Sequence, residues 1–319
     1  MSLFYPVEKF SDALLSLTPI SPNDVLYGVL HFFVYDSIKI GLLLITIIFL
    51  ITFIRSYLPP EKIRRILSNR FSLLGNILAS GIGIITPFCS CSAVPLFIGM
   101  LEAGVPLGVT FSYLISAPMV NEIAVVLLFG MFGWKVALLY VVSGVFLAIV
   151  SGAILGKLKL ERFVEEWVWE FKSEEERESE KTAKERFLWS YYYTKDLVKK
   201  ILPYVLVGVA LGAGIHGYLP EGFLAEYANA SNPFAVLVVV LIGIPLYSNA
   251  AGTIPIVRSL VEKGLPMGTA LSFMMSVTAL SLPEMIILRN VLKPKLLALY
   301  FGIVGVGIIA TGYMFNMVL

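Results

Sequence analysis

Six stretches of this chain are apolar over lengths that suit a membrane crossing: Ile38–Ile54, Pro106–Gly130, Val136–Gly156, Ile201–Leu219, Pro266–Ile287 and Leu296–Met317. A bilayer core about 30 Å thick needs about 20 helical residues to span it. Runs of this kind recurring through one chain commit it to an all-α, polytopic integral membrane protein. Hydrophobic residues at 58% and charged residues at 14% fit that class and exclude an ordinary soluble domain. The first 25 residues carry acids, prolines and no long apolar core, so they do not read as a cleaved signal peptide.

Charge sets the expected orientation. Arg55, Lys62, Arg64, Arg65 and Arg70 follow the first span against the single acid Glu61, which marks a cytoplasmic loop and leaves the N-terminus outside. Lys157 to Lys200 holds eleven Lys or Arg residues, and Arg289, Lys293 and Lys295 mark a third inner loop. These places take 19 of the 24 cations, so the chain reads as a multi-pass protein of the inner cell membrane with both termini outside. The 157–195 linker mixes both signs and reads as a solvated helix or helical hairpin. The cationic loops face the bilayer edge and call for no nucleic acid. No Gly-x-x-x-x-Gly-Lys-Ser/Thr loop is present, so no nucleotide site of that kind is expected.

Parity then shapes the middle of each half. Between Arg70 and Lys157 the chain must cross an even number of times, and two full spans already do so. Phe71–Ala103 therefore goes in and comes back, each arm only about 24 Å of helix. A re-entrant hairpin with its tip at Thr86-Pro-Phe-Cys-Ser-Cys-Ser-Ala-Val-Pro95 fits best, though two short tilted spans would also satisfy parity. In the second half, Phe234–Leu246 and Ala250–Val261 form the matching hairpin, with tip Tyr247-Ser248-Asn249.

The halves also match in sequence. Glu-x-Gly-x-Pro-x-Gly-x-x-x-Ser-x-x-x-Ser begins at Glu102 and again at Glu262, and Pro95 pairs with Pro255, all at an offset of 160 residues. The expectation is one transmembrane domain over 1–319, with a first repeat at 27–156, the charged linker at 157–195, and a second, inverted repeat at 196–319. That is about six full spans plus two re-entrant or broken hairpins. Inverted repeats with paired broken segments belong to secondary transporters, and the breaks mark the binding site.

The first tip holds both cysteines of the chain, Cys89 and Cys91, flanking Ser90. A bridge between them would close a strained ring, so free thiols are expected. A non-helical Cys-x-Cys can aim two soft sulfur ligands at one ion; the competing reading is that small residues let the tip pack. The twin tip offers Ser248 and Asn249 but no sulfur, which favours a two-coordinate soft centre such as an organoarsenic(III) or Cu(I). Met100 and Met119 are candidate weak thioether contacts. Asn121 and Glu122 follow Pro118, and Glu284 follows Pro283; ionisable residues within spans are coupling candidates. Asp36 and Lys39 can pair along one helix face, with Lys39 reaching the outer interface. Arg258 lies in the second hairpin, and His31 and His216 fall near the outer face. No Cys/His cluster suggests a structural zinc site, and no other cofactor is implied.

The Cys-Ser-Cys tip, with Glu102-Ala-Gly-Val-Pro-Leu-Gly108 and Ser116-Ala-Pro-Met-Val-Asn121, resembles the ArsP-type permease family over nearly the whole chain. The resemblance implies a permease and, since some members export trivalent organoarsenicals, soft-metalloid efflux with Cys89 and Cys91 as ligands. The expected partners are the lipid bilayer and a small soft solute, with Gly208-x-x-x-Gly212 a possible homo-oligomer face. Two other classes compete: a channel or permease for a metal ion or sulfur-containing anion, and an intramembrane thiol oxidoreductase using Cys89 and Cys91 as a redox pair.

Overall fold

Gly and Pro mark several helix ends in the computed structural model, while Pro95, Pro118 and Pro203 lie inside helices. The structure describes residues 5–17, 24–56, 72–85, 90–170, 182–218, 232–246 and 250–319. Its first half holds α1 (Tyr5–Ser16), α2 (Val25–Arg55), α3 (Ser72–Ile85), α4 (Ser90–Glu102), α5 (Leu107–Met119), α6 (Glu122–Phe132) and α7 (Trp134–Lys157). A single helical turn, α8 (Trp167–Glu170), follows the 3-10 turn Glu161–Phe163. The second half holds α9 (Ala183–Tyr218), α10 (Ala235–Gly243), α11 (Ala250–Glu262), α12 (Met267–Ala279), α13 (Leu282–Arg289) and α14 (Pro294–Val318). Among the described residues the only extended pairing is an isolated bridge between Val164 and Leu292.

Apart from that bridge the described residues form helices and turns, as suits a polytopic membrane protein. Leu26–Leu50, Trp134–Lys157, Met267–Arg289 and Pro294–Val318 are long and apolar enough to cross a bilayer, and α5 with α6, bent by 45°, is so when the two are taken together. The stretch from Ile201 forms the apolar second half of α9, a 36-residue helix about 54 Å long.

Three features depart from the sequence reading. The first span starts at Val25, so Asp36 and Lys39 lie well inside α2; Lys39 sits over the Tyr35 ring at 5.4 Å. From Ala183 the end of the charged linker is continuous with the following span as α9, through Pro203; residues 171–181 of the linker, where a helical hairpin was one expectation, lie outside the described residues. Pro106–Gly130 and Pro266–Ile287, read as continuous, are each interrupted, at Val120–Asn121 and at Leu280–Ser281. The cause is local. Pro118 lacks an N–H and weakens the last turn of α5, while Asn121 and Ser281 restart a helix as N-caps. Asn121 Oδ1 accepts from Ala124 N at 2.7 Å, and Ser281 Oγ accepts from Glu284 N at 3.4 Å.

The repeated Glu-x-Gly-x-Pro motif is a helix stop followed by a helix start. Gly104 has φ 75° and Gly264 φ 92°, a left-handed conformation that glycine takes without a Cβ clash. Val105 N donates to Met100 O and Leu265 N to Leu260 O, each at 3.0 Å, while Gly104 and Gly264 donate three residues back. These are Schellman closures. Pro106 and Pro266 then open α5 and α12. At the 160-residue offset α4 coincides with α11 and α5 with α12, end to end, and α7 and α14 start in step.

Glycines carry the packing, and they meet the serines and second glycine of each motif. A Cβ on Gly83 would strike Ser116 Oγ, and one on Gly243 would strike Ser276 Oγ. Gly152 meets Ser112 as Gly312 meets Ser272, and Gly108 lies against Gly152 and Gly156 as Gly268 lies against Gly312 and Asn316. So α3, α5 and α7 form one close-packed triplet, and α10, α12 and α14 another. The Ser112, Ser116, Ser272 and Ser276 hydroxyls donate to helix carbonyls, which identifies them as packing groups.

A strap closes one end of the molecule. Glu165 N donates to Val291 O at 2.9 Å and Lys293 N to Phe163 O at 2.8 Å. Trp167 Nε1 donates to Asn290 O, Asn290 Nδ2 donates to Lys200 O, and Arg289 pairs with Glu165 at 3.0 Å. The Gly108–Gly156 contact puts the turn at 103–106 at this same end, beside the start of α14. The turn at 263–266 sits at the other end of α14: Thr269 N donates to Asn316 Oδ1 at 3.1 Å, and Tyr313 donates to Pro233 O at 2.7 Å. These ends are separated by the length of a 25-residue helix, about 37 Å.

Candidate functional site

Residues 86–89, with Cys89, and residues 247–249, with Ser248 and Asn249, lie outside the described residues. Ser90 and Cys91 are described only as backbone in the first turn of α4, and the side chain of His216 is likewise outside the description. The helices that follow both tips in the chain are described. α4 leaves the first tip at Ser90, and α11 leaves the second at Ala250. α4 packs on α13, and α11 packs on α6. Each arm that leaves a tip therefore lies against the half-helix that restarts after a break in the opposite repeat. Leu282 N, the first residue of α13, donates to Ile244 O at 2.7 Å.

The breaks supply the polar groups. Asn121 is half-buried and its side chain is committed to capping α6. Glu122, in the first turn of α6, is exposed, alongside the exposed Ile123 and Val126. Glu284 is 1% exposed, in the first turn of α13, with its backbone N–H held by Ser281. The two breaks thus hold their carboxylates differently, one on an outer face and one enclosed. A carboxylate in the first turn of a helix faces the positive end of the helix dipole.

Beside Glu284 an aromatic chain crosses the core. Phe97 of α4 packs on Phe111 of α5 with centroids 5.4 Å apart, and Phe111 stacks on Tyr300 of α14 at 5.4 Å. Tyr300 lies on α14, which packs on α13, the helix of Glu284. Tyr140 and Tyr300, which match at the 160-residue offset, are both 0% exposed. Met100 and Met119 are buried in the same core.

The structure also brings together groups that sequence reasoning passed over. Glu102, noticed only as a repeat marker, is 1% exposed, and Tyr193 of α9 reaches its two carboxylate oxygens at 2.9 and 3.0 Å. Its mate Glu262 is exposed and pairs with Arg258 at 2.8 Å, which gives Arg258 a local partner. His31 pairs with Asp12 at 2.9 Å and fastens α1 to α2. The sequence gives no sign of the Tyr193–Glu102 pair, because contacts between residues 91 positions apart leave no local pattern. Among the described residues no group of three or more His, Cys, Asp and Glu could hold a metal ion.

The model of a family described as a predicted permease, ArsP_1, matches residues 25–317. A UPF0718 protein of Methanocaldococcus jannaschii is 21% identical, with 79% of this chain and 84% of that protein covered. The UPF0718 protein YraQ of Escherichia coli is 25% identical, with 90% of this chain and 79% of that protein covered. No solved structure matches the chain at the level at which these relatives do. With a match running from its first long helix to its last, through helices apolar enough to cross a bilayer, the chain belongs to the ArsP_1 family of predicted permeases and is a membrane transporter rather than an enzyme.

Proposed function

We propose that this permease is an inverted-repeat secondary transporter exporting a small soft solute, a trivalent organoarsenical or related metalloid, past two hairpin tips. One observation carries the architecture: the reciprocal packing of α4 on α13 and of α11 on α6. If two copies are related by a two-fold axis, contact between one element and a second in the other copy requires its mirror contact. The hairpin bases at opposite ends of α14 support an axis lying in the membrane plane. Such an arrangement gathers both tips and both breaks around one site. On this reading the repeats are 27–156 and 196–319, the 157–195 linker and the strap are cytoplasmic, and both termini are outside.

Cys89 and Cys91 are the soft ligands in this reading, with Ser90, Ser248, Asn249 and Asn121 lining the polar side. Two thiolates suit a mono-organo arsenic(III) centre, and their ligation releases protons that the cycle must return. Glu284 takes the coupling role in preference to Glu122. Its burial at a break lets a conformational change alter its access to water, whereas Glu122 is exposed.

The test is uptake of a trivalent organoarsenical into inverted vesicles by wild type, Cys89→Ser, Cys91→Ser, Glu284→Gln and Glu122→Gln. The reading expects at least a tenfold loss in both cysteine variants and loss of proton dependence in Glu284→Gln, with Glu122→Gln near wild type. Normal transport by both cysteine variants overturns the thiol site. A thermal-shift screen with arsenite, Cu(I), Zn(II) and sulfite then identifies the solute class.

A further inference from the structure

The buried face of α3 is Gly75, Asn76, Ala79, Ser80 and Gly83, and it packs on α5 and α7. Asn76 and Ser80 are each 0% exposed. Among the described residues neither amide atom of Asn76 has a hydrogen-bond partner, and neither does Ser80 Oγ. The two side chains are one turn apart on one helix face, with Cβ atoms about 6 Å from each other. Burying an amide with neither its donor nor its acceptor satisfied is costly, and more so where lipid surrounds the protein.

Packing does not demand polar residues here. At the 160-residue offset α10 carries Val236 and Val240, each 1% exposed. Val236 fills the space beside Gly312 with a methyl group. The same two helix positions are thus apolar in one half and polar in the other. Ser80 is five residues from the end of α3 at Ile85, about 8 Å along the helix.

We infer that Asn76 and Ser80 form a binding pocket in the α3–α5–α7 seam for a small neutral species that carries an O–H group. The occupant must accept from Asn76 Nδ2 and donate to Asn76 Oδ1. A bare cation serves only the oxygens, and an anion without a proton serves only the N–H. Water has both functions, and so does a neutral hydroxylated solute. The pocket stands independently of the thiol reading; only its second source rests on the transporter reading.

The experiment uses the full chain in lipid nanodiscs. Radiolytic hydroxyl-radical footprinting labels side chains next to bound water. Expected labelling of the α3 and α5 peptides in wild type is at least threefold above that of the α10 and α12 peptides, which act as the internal control. Equal labelling overturns the pocket. Asn76→Val with Ser80→Ala should bring the first pair down to the level of the second, and their thermal shifts should be non-additive because they share a ligand; additive shifts overturn it. The probe for the second source is arsenous acid, neutral at pH 7. A rise in thermal midpoint kept in Cys89→Ser and lost in Asn76→Val assigns the occupant to solute, and no rise in any variant assigns it to water.

Discussion

Glu102 and Glu262 share one position of a repeated motif yet sit in opposite surroundings. Glu262 is on the surface, and its ion pair with Arg258 one turn away is screened by water. Glu102 is enclosed, and the Tyr193 hydroxyl serves its carboxylate from another helix. Removing a donor from a buried acceptor costs more than breaking an exposed pair. Tyr193→Phe should destabilise the protein by about 1–3 kcal/mol, and Glu262→Gln by no more than about 0.5 kcal/mol, read from denaturant unfolding in detergent. Equal effects would show that Tyr193 contributes only its ring. The N-caps are a second residue-scale case: Asn121→Ala and Ser281→Ala should each cost about 0.5–2 kcal/mol by removing the acceptor that restarts a helix. Asn121 was readable in the sequence as a polar residue after Pro118, while Ser281, which precedes Pro283, was not singled out. The difference between Glu102 and Glu262 was not readable, since it depends on which distant helix covers each motif.

Element boundaries were the most legible feature of this chain. Gly-x-Pro at 104–106 and 264–266 announces a stop and a start, and the helices obey it on both sides. The breaks at 120–121 and 280–281 were less legible, because apolar composition runs through them and hydropathy alone reports one long span. The packing role of Ser112 and Ser116 was hidden as well. In sequence a buried hydroxyl looks the same whether it serves a solute or a helix carbonyl, and only the glycines opposite decide. Those glycines permit a direct check. A methyl on Gly152 would collide with Ser112, and one on Gly312 with Ser272, whereas Gly302 has nothing within 4 Å. Overpacking of this kind costs about 1–3 kcal/mol. Gly152→Ala and Gly312→Ala should therefore lower the thermal midpoint by similar amounts, while Gly302→Ala leaves it unchanged or raises it slightly through helix propensity. A large drop in only one of the pair would mean that the two triplets do not support the fold equally.

At the scale of the molecule, charge counting and the hydrogen bonds describe the same grouping from independent starting points. Cations placed Lys157–Lys200 and Arg289–Lys295 on one side of the membrane. The structure joins those segments through Val164 with Leu292, Trp167 with Asn290, and Asn290 with Lys200. The number of crossings was harder to read, because short hairpin arms and bent spans fall below the length that marks a crossing. The turn at 103–106 shares the strap's end, and the turn at 263–266 is at the far end of α14. If α14 crosses the bilayer, these turns open to opposite sides, and the inverted arrangement follows. Single cysteines at Lys159, Lys295 and Lys263 test this, probed with a membrane-impermeant maleimide in right-side-out and inverted vesicles. The unsubstituted protein sets the background from Cys89 and Cys91. Lys159→Cys and Lys295→Cys should label from one side, Lys263→Cys from the other. Labelling of Lys263→Cys from the same side as Lys295→Cys would make the repeats parallel, and the two hairpins could no longer meet from opposite faces of the membrane.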